Sequence, residues 1–323
     1  MTERLLGWVA LVLLAACGPS GEGELRVDVL FPASGLGDRS YSDAVYGGLV
    51  RAGLDTDFRL TDESPADSTE AARLFAEWTS GPRQGPELIL TMVGVPGRVP
   101  ACDFGGRQVV SLDSTADVCP GIETISYRAF APSFLAGVAA VAVSSRRTAS
   151  VLGGMDTAVV DAYVRGFVAG VASAGGTVLA IEYLSTTEDG FSSPADARLA
   201  AERLYADADV VFPIAGASGM GVFEAAKSGT GRYTFGMDVD QSWLGRGVIV
   251  GSVVKRLDLS VIQVIGDEAA GTFAAGAQSL GLAEGGTELV VNELFADRVA
   301  AAVAGARDEA LRAETADLAT RSP

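Results

Sequence analysis

From Leu25 onward, short apolar runs alternate with longer segments in which apolar residues recur every three or four positions. RVDVLFP, PELILTMV, RQVVSLD, ASVLGGM, TVLAIEYL and DVVFPIAG have the length and β-branched content of buried strands. Between them YSDAVYGGLVRAG, EAARLFAEWTSG, SFLAGVAAVAVSS, VVDAYVRGFVAGVASAG and ADARLAAERLYAD carry helical periodicity. Repeated strand–helix units of this size predict an α/β fold, with parallel sheets covered by helices on both faces. Further on, FGMDVD reads as a strand with an acidic tip, and GVIVGSVV as a strand that delivers Lys255 into a helix beginning near Ser252. GTELVVNEL is a last strand, and DRVAAAVAGARDEALRAE a closing amphipathic helix.

The chain opens with Arg4 ahead of an apolar run from Leu5 to Leu14. That run is far shorter than the roughly 20 residues of a membrane-spanning helix, so residues 1–16 read as a secretory signal peptide. The tetrad LAAC before Gly18 resembles a bacterial lipobox, which makes Cys17 the expected lipid-modified first residue of the mature chain; an ordinary signal peptide is the alternative. Residues 17–24 would be the lipidated tether, GPSGEGE having linker composition. The expected product is an extracytoplasmic domain held at the cell membrane through acyl chains alone. In an oxidising compartment the two other cysteines, Cys102 and Cys119, suggest a disulfide worth roughly 3 kcal/mol in the chain-entropy model; two reduced thiols are the alternative.

Net charge narrows the choice of partner. At −17 with no basic run, the chain is unsuited to nucleic acid or to anionic lipid surfaces. It contains no histidine, which excludes Ser-His-Asp, Cys-His and His-metal chemistry. No residue pattern calls for a cofactor or a metal.

Ligands of open α/β sheets sit beyond the carboxyl ends of the strands. Asp238 occupies such an end and can accept two sugar hydroxyls, while Lys255 can donate to a ring or hydroxyl oxygen; a helix-flanking aspartate and a solvated lysine are the plainer alternative. Asp113 ends another strand, where it suits the amino or imino groups of a base or caps a turn. In SGLGDRSYSDAVYGG, Asp38 or Ser40 can cap the helix, and Tyr41 at its start offers a stacking face. Phe191, in a polar loop, faces either the core or a ligand. The turn GASGMG, opening at Gly216, lacks the Walker lysine and is no Rossmann fingerprint, so its amides at Ala217 to Gly219 suit sugar hydroxyls better than phosphate.

Taken in order, LAAC, SGLGDRSYSDAVYGGL, SFLAGVAAVAV with VLGGMDTAVVDAYVRGFVAG, DVVFPIAGASGMGVFEAA, and FGMDVDQSW with VGSVVKRLD resemble the basic membrane protein family. Those are substrate-binding lipoproteins of ABC importers and include the purine nucleoside receptor A group. The resemblance implies a type I periplasmic-binding-protein fold, two lobes with a nucleoside in the cleft between them, delivered to an ABC permease. The receptor is expected to be a monomer and not an enzyme. It implies Asp238 and Lys255 at the ribose, Asp113 at the base, and Tyr41 and Phe191 as the faces around the base. Tyr41 stands where phenylalanine is usual. Pro32 replaces the aspartate that commonly ends the first strand, and Ser42 an asparagine, both beside the expected base edge; a purine nucleoside is still favoured, with which base left open. The lobes would comprise residues 25–126 with about 252–283, and about 127–251 with 284–312, leaving a tail at 313–323.

Two other functions fit the same residues. One is a nucleoside-cleaving hydrolase using Asp238 and Asp240 around calcium, although carboxylates two apart on a strand point to opposite faces. The other is a surface sensor or adhesin of the same fold.

Overall fold

The computed structural model describes residues 23–95, 103–114 and 121–321. Cys17, Cys102 and Cys119, with the leader and most of the tether, lie outside the described residues.

The strands of the described residues form two six-stranded sheets. The first holds β1 (Leu25–Leu30), β2 (Phe58–Glu63), β3 (Glu87–Thr91), β4 (Gln108–Leu112), β5 (Ile122–Tyr127) and β11 (Gly276–Leu280), in the order β11-β5-β4-β3-β1-β2 and parallel throughout. The second holds β6 (Thr148–Gly153), β7 (Thr177–Tyr183), β8 (Val210–Ile214), β9 (Tyr233–Asp238), β10 (Ile249–Lys255) and β12 (Thr287–Val291), in the order β12-β10-β9-β8-β6-β7. Among the described strands only β12 is antiparallel to its neighbour, a departure from the expected all-parallel pair of sheets. Strands covered on both faces need apolar residues at successive positions, and β3, β8 and β10 are buried along their whole length.

Helices complete each sandwich. In the first lobe α1 (Tyr41–Ala52) and α7 (Leu257–Ala269) pack Val45, Leu49, Val261 and Ile265 onto one face, while α2 (Ser68–Thr79) sets Phe75 against Leu30 and Val109 on the other. In the second lobe α3 (Phe130–Val143), α4 (Ala158–Ser173) and α8 (Ala296–Arg321) cover one face; α5 (Pro194–Asp207) and α6 (Gly219–Lys227) cover the other. The rings of Phe167 and Phe212 stack at 4.2 Å, and Phe235 meets both edge-on. Helices α3 and α4 approach so closely that a Cβ at Gly170 would stand 1.9 Å from the Phe134 carbonyl oxygen.

The chain passes between the sheets after β5, after β10 and after β11. These passages lie side by side. The Arg256 amide donates to the Gly286 carbonyl at 2.8 Å, and Thr287 Oγ1 to the Arg128 carbonyl at 2.9 Å. The Arg128 guanidinium reaches Glu284 and, at 3.2 Å, Glu314.

Two boundaries differ from the sequence reading. Because Val253, Val254 and Lys255 still pair with β12, β10 runs to Lys255, α7 starts at Leu257 rather than near Ser252, and the second passage falls at Arg256. Helix α8 continues to Arg321, so residues 313–321 extend that helix rather than forming a separate tail.

Candidate functional site

The carboxyl end of β4 and the start of α1 in the first lobe meet the carboxyl ends of β9 and β10 in the second. Lys255, 5% exposed at the end of β10, forms an ion pair with Asp113, the residue after β4. Asp238, at the tip of β9, stands 3.9 Å from the same ammonium. The ammonium also lies 5.6 Å from the Tyr41 ring centroid and 5.4 Å from that of Tyr163, a buried residue of α4. One cation thus collects an acid and a ring from each lobe.

Backbone conformation aims these groups. Arg39, Asp113 and Asp238 have φ of 55°, 57° and 63°, and among the described residues Arg147 alone of the other non-glycines shares that left-handed region. Such conformations are unfavourable for side-chain-bearing residues and concentrate where function over-determines the backbone. At the start of α1, Asp38 does the capping, accepting the Ser42 amide at 2.8 Å and the Ser40 amide at 2.9 Å. Released from capping, the Ser40 hydroxyl crosses to the second lobe and donates to Asp238 Oδ2 at 2.5 Å.

Charge states follow from this packing. Burial pulls the Lys255 ammonium down, but Asp113, Tyr163, Asp238 and Tyr41 outweigh it and hold the group well above its ordinary value, fully protonated. Burial pushes the Asp238 carboxyl up, against the pull of Lys255 and the Ser40 hydrogen bond. Burial likewise raises the Tyr41 and Tyr163 phenols, which stay neutral donors.

The remaining candidates are Ser42, Phe191 and Gly216. Ser42 is fully buried, and its hydroxyl has no hydrogen-bond partner among the described residues. Phe191 ends a single 3-10 turn, Glu188–Phe191, and lies so close to Gly154 that a Cβ there would meet its ring at 2.5 Å. Gly216, with φ of 50°, sits against the Phe191 carbonyl and Cβ, and the loop is fixed by Ser218 Oγ, which donates to the Gly190 carbonyl and accepts the Ser193 amide, both at 2.7 Å. Phe191 and Gly216 therefore form a second group, over the tips of β6 and β8, separate from the contacts of Tyr41, Asp113, Asp238 and Lys255. An open pocket of about 280 Å³ adjoins that cluster, with Asp43, Arg51, Asp240 and Arg256 in its walls beside Asp238 and Lys255.

Sequence reasoning missed Tyr163 and read Ser40 only as a cap. Tyr163 falls within the apolar periodicity of α4 and carries no local signal. Ser40 needed the observation that Asp38 already satisfies the helix end.

Residues 111–314 match the Bmp family, described as ABC transporter substrate-binding protein PnrA-like. The chain belongs to this family. Within it, basic membrane protein D of Borreliella burgdorferi (strain JD1) is 38% identical over 100 residues, a stretch that spans 30% of this chain and 29% of that relative's length. An uncharacterized lipoprotein of Pyrococcus horikoshii is 26% identical over 311 residues, covering 87% of this chain and 75% of the relative. Among solved structures, an ABC transporter system solute-binding protein from Aeropyrum pernix K1 superposes with a TM-score of 0.73 at 24% identity, over 90% of this chain and 89% of that one. That likeness establishes the fold expected from the resemblance. Among the described residues no helix is long and apolar enough to cross a membrane.

Proposed function

We propose that this Bmp-family protein is an extracytoplasmic receptor, anchored through lipid on Cys17, that binds a nucleoside between its lobes and delivers it to the permease of an ABC importer. The observation that carries the reading is the junction at Lys255, where Tyr41 and Asp113 of the first lobe and Asp238 and Tyr163 of the second share one ammonium. A nucleoside offers what these groups, together with Phe191 of the second group, would recognise: a planar ring for Tyr41 and Phe191, polar ring edges for Asp113, and a vicinal diol for Asp238 with Lys255. The buried Ser42 hydroxyl, which has no hydrogen-bond partner among the described residues, could accept or donate one. Ligand contacts on both lobes would favour the closed arrangement, the form a permease would recognise.

Calorimetric titration of residues 18–323 with purine and pyrimidine nucleosides, free bases and pentoses tests the reading. A nucleoside is expected to bind, Asp238→Ala to abolish ribose-dependent binding, and Asp113→Ala to relax the choice of base. Silence toward every nucleoside, or equal and negligible effects of both substitutions, would overturn it.

A further inference from the structure

The buried side chain of Gln241 joins the two lobes. It is 4% exposed and lies just beyond β9. Its Oε1 accepts the Met237 amide at 2.8 Å, and its Nε2 donates to the Arg39 carbonyl of the first lobe at 2.7 Å. Its own amide donates to Ser252 Oγ at 3.0 Å. One partner is an N–H and the other a C=O, so the amide can sit in only one orientation.

The second lobe is shaped to hold this side chain. A Cβ at Gly236 would stand 2.8 Å from Gln241 Cβ and 2.4 Å from Ser252 Oγ, so only glycine leaves the space. The bond to Met237 holds the backbone immediately before Asp238, whose left-handed φ directs its carboxylate at Ser40. The bond to Arg39 holds another of the left-handed residues, immediately before Ser40 and Tyr41. At the rim the Arg39 guanidinium lies 5.8 Å from the Trp243 ring centroid, on the same line of contact.

We infer that Gln241 is a positioning residue of the cleft: with one end of its amide it sets the tip that presents Asp238, and with the other it clasps the turn that presents Ser40 and Tyr41. The proposal relies on the nucleoside reading only in taking this cleft as the binding site. A glutamine confined to supporting β9 would need its acceptor but not its donor, and the donor is the end that reaches the first lobe.

Gln241→Glu separates the two ends, since it keeps an acceptor for Met237 and loses the donor to Arg39. Hydrogen exchange on the full mature chain, without ligand, reads each lobe separately. Loss of one buried hydrogen bond corresponds to roughly a tenfold change in a local opening equilibrium. Amides of Gly37, Arg39 and Ser40 are therefore expected to exchange about tenfold faster in Gln241→Glu, with those of α4 unchanged. Should that variant fail to fold, as judged by circular dichroism, Gln241→Met is expected to accelerate exchange in residues 36–42 and 237–241 together. Acceleration confined to residues 237–241, or none in either segment, would overturn the proposal. The readout needs no nucleoside, so failure of the wild-type protein to bind one would overturn the functional reading and leave this result standing.

Discussion

Lys255 and Asp113, 142 positions apart and on different sheets, form a single buried ion pair across the lobes. Breaking such a pair from one side leaves an uncompensated charge in a poorly hydrated place, which typically costs about 3–5 kcal/mol. Lys255→Met, which also strips Asp238 of its cation, is expected to lose stability in that range. Asp113→Asn should lose less, because Asp238 still faces the ammonium. The double variant should be more stable than the sum of the single losses predicts, as chemical denaturation in a double-mutant cycle would measure.

Acid should act at a second place, distant from the cleft. Asp209, just before β8, accepts from the Arg146 amide and guanidinium and from the Ser144 and Ser145 hydroxyls. Burial pushes its carboxyl up, but these bonds prevail and lower it from 3.8 to about 2. A depressed carboxyl contributes stability that is present above pH 3.8 and is lost as pH falls through about 2. Asp209→Asn is expected to cost roughly 2 kcal/mol at neutral pH and to flatten the stability profile between about pH 4 and pH 2, seen in denaturant titrations across that range. Asp238 runs the other way: its raised carboxyl favours the folded state below pH 3.8, a contribution lost as pH rises through the folded value.

Glycine-to-alanine changes should have opposite signs in two helices. At Gly170 an added Cβ meets the backbone of α3 and must push two helices apart, so Gly170→Ala is expected to destabilise by about 2 kcal/mol or more. At Gly266, in α7, an added Cβ meets nothing within 4 Å. There alanine gains its helix preference, and Gly266→Ala should stabilise by roughly 0.5–1 kcal/mol. Thermal melts of the two variants beside the parent would check both.

Much of this architecture is written in local pattern, and what escaped has a physical cause. Strands β3, β8 and β10 announce themselves because burial on both faces demands unbroken apolar runs. The strands missed were β2, β5 and β11. FRLTDE and GAQSL are the two edges of the first sheet, half-solvated and free to be polar, and IETISY carries a buried glutamate that a hydrophobicity pattern rejects. At the site, the acidic tip at Asp238 and the lone Lys255 were legible as strand ends. Their partners were not, since the ion pair with Asp113 and the Ser40 bridge are products of how the sheets meet rather than of spacing along the chain.

The rings of the proposed cleft give a test with graded outcomes. Tyr41→Phe keeps the stacking face and loses only a long, 3.4 Å bond from its hydroxyl to the Leu112 carbonyl, so nucleoside affinity should change by no more than a few-fold. Phe191→Ala removes a face outright and should weaken binding by about 1–3 kcal/mol, in the range of one stacked base. Calorimetry on both variants would measure the contrast.

The strand order has a mechanical corollary. Among the described residues β1 lies in the first sheet and α8 packs on the second, and three strands of covalent connection run between the sheets. A relative rotation of the two sheets would therefore have to be absorbed at three neighbouring passages at once, around Arg128, Arg256 and Gly286, which are tied to one another by hydrogen bonds.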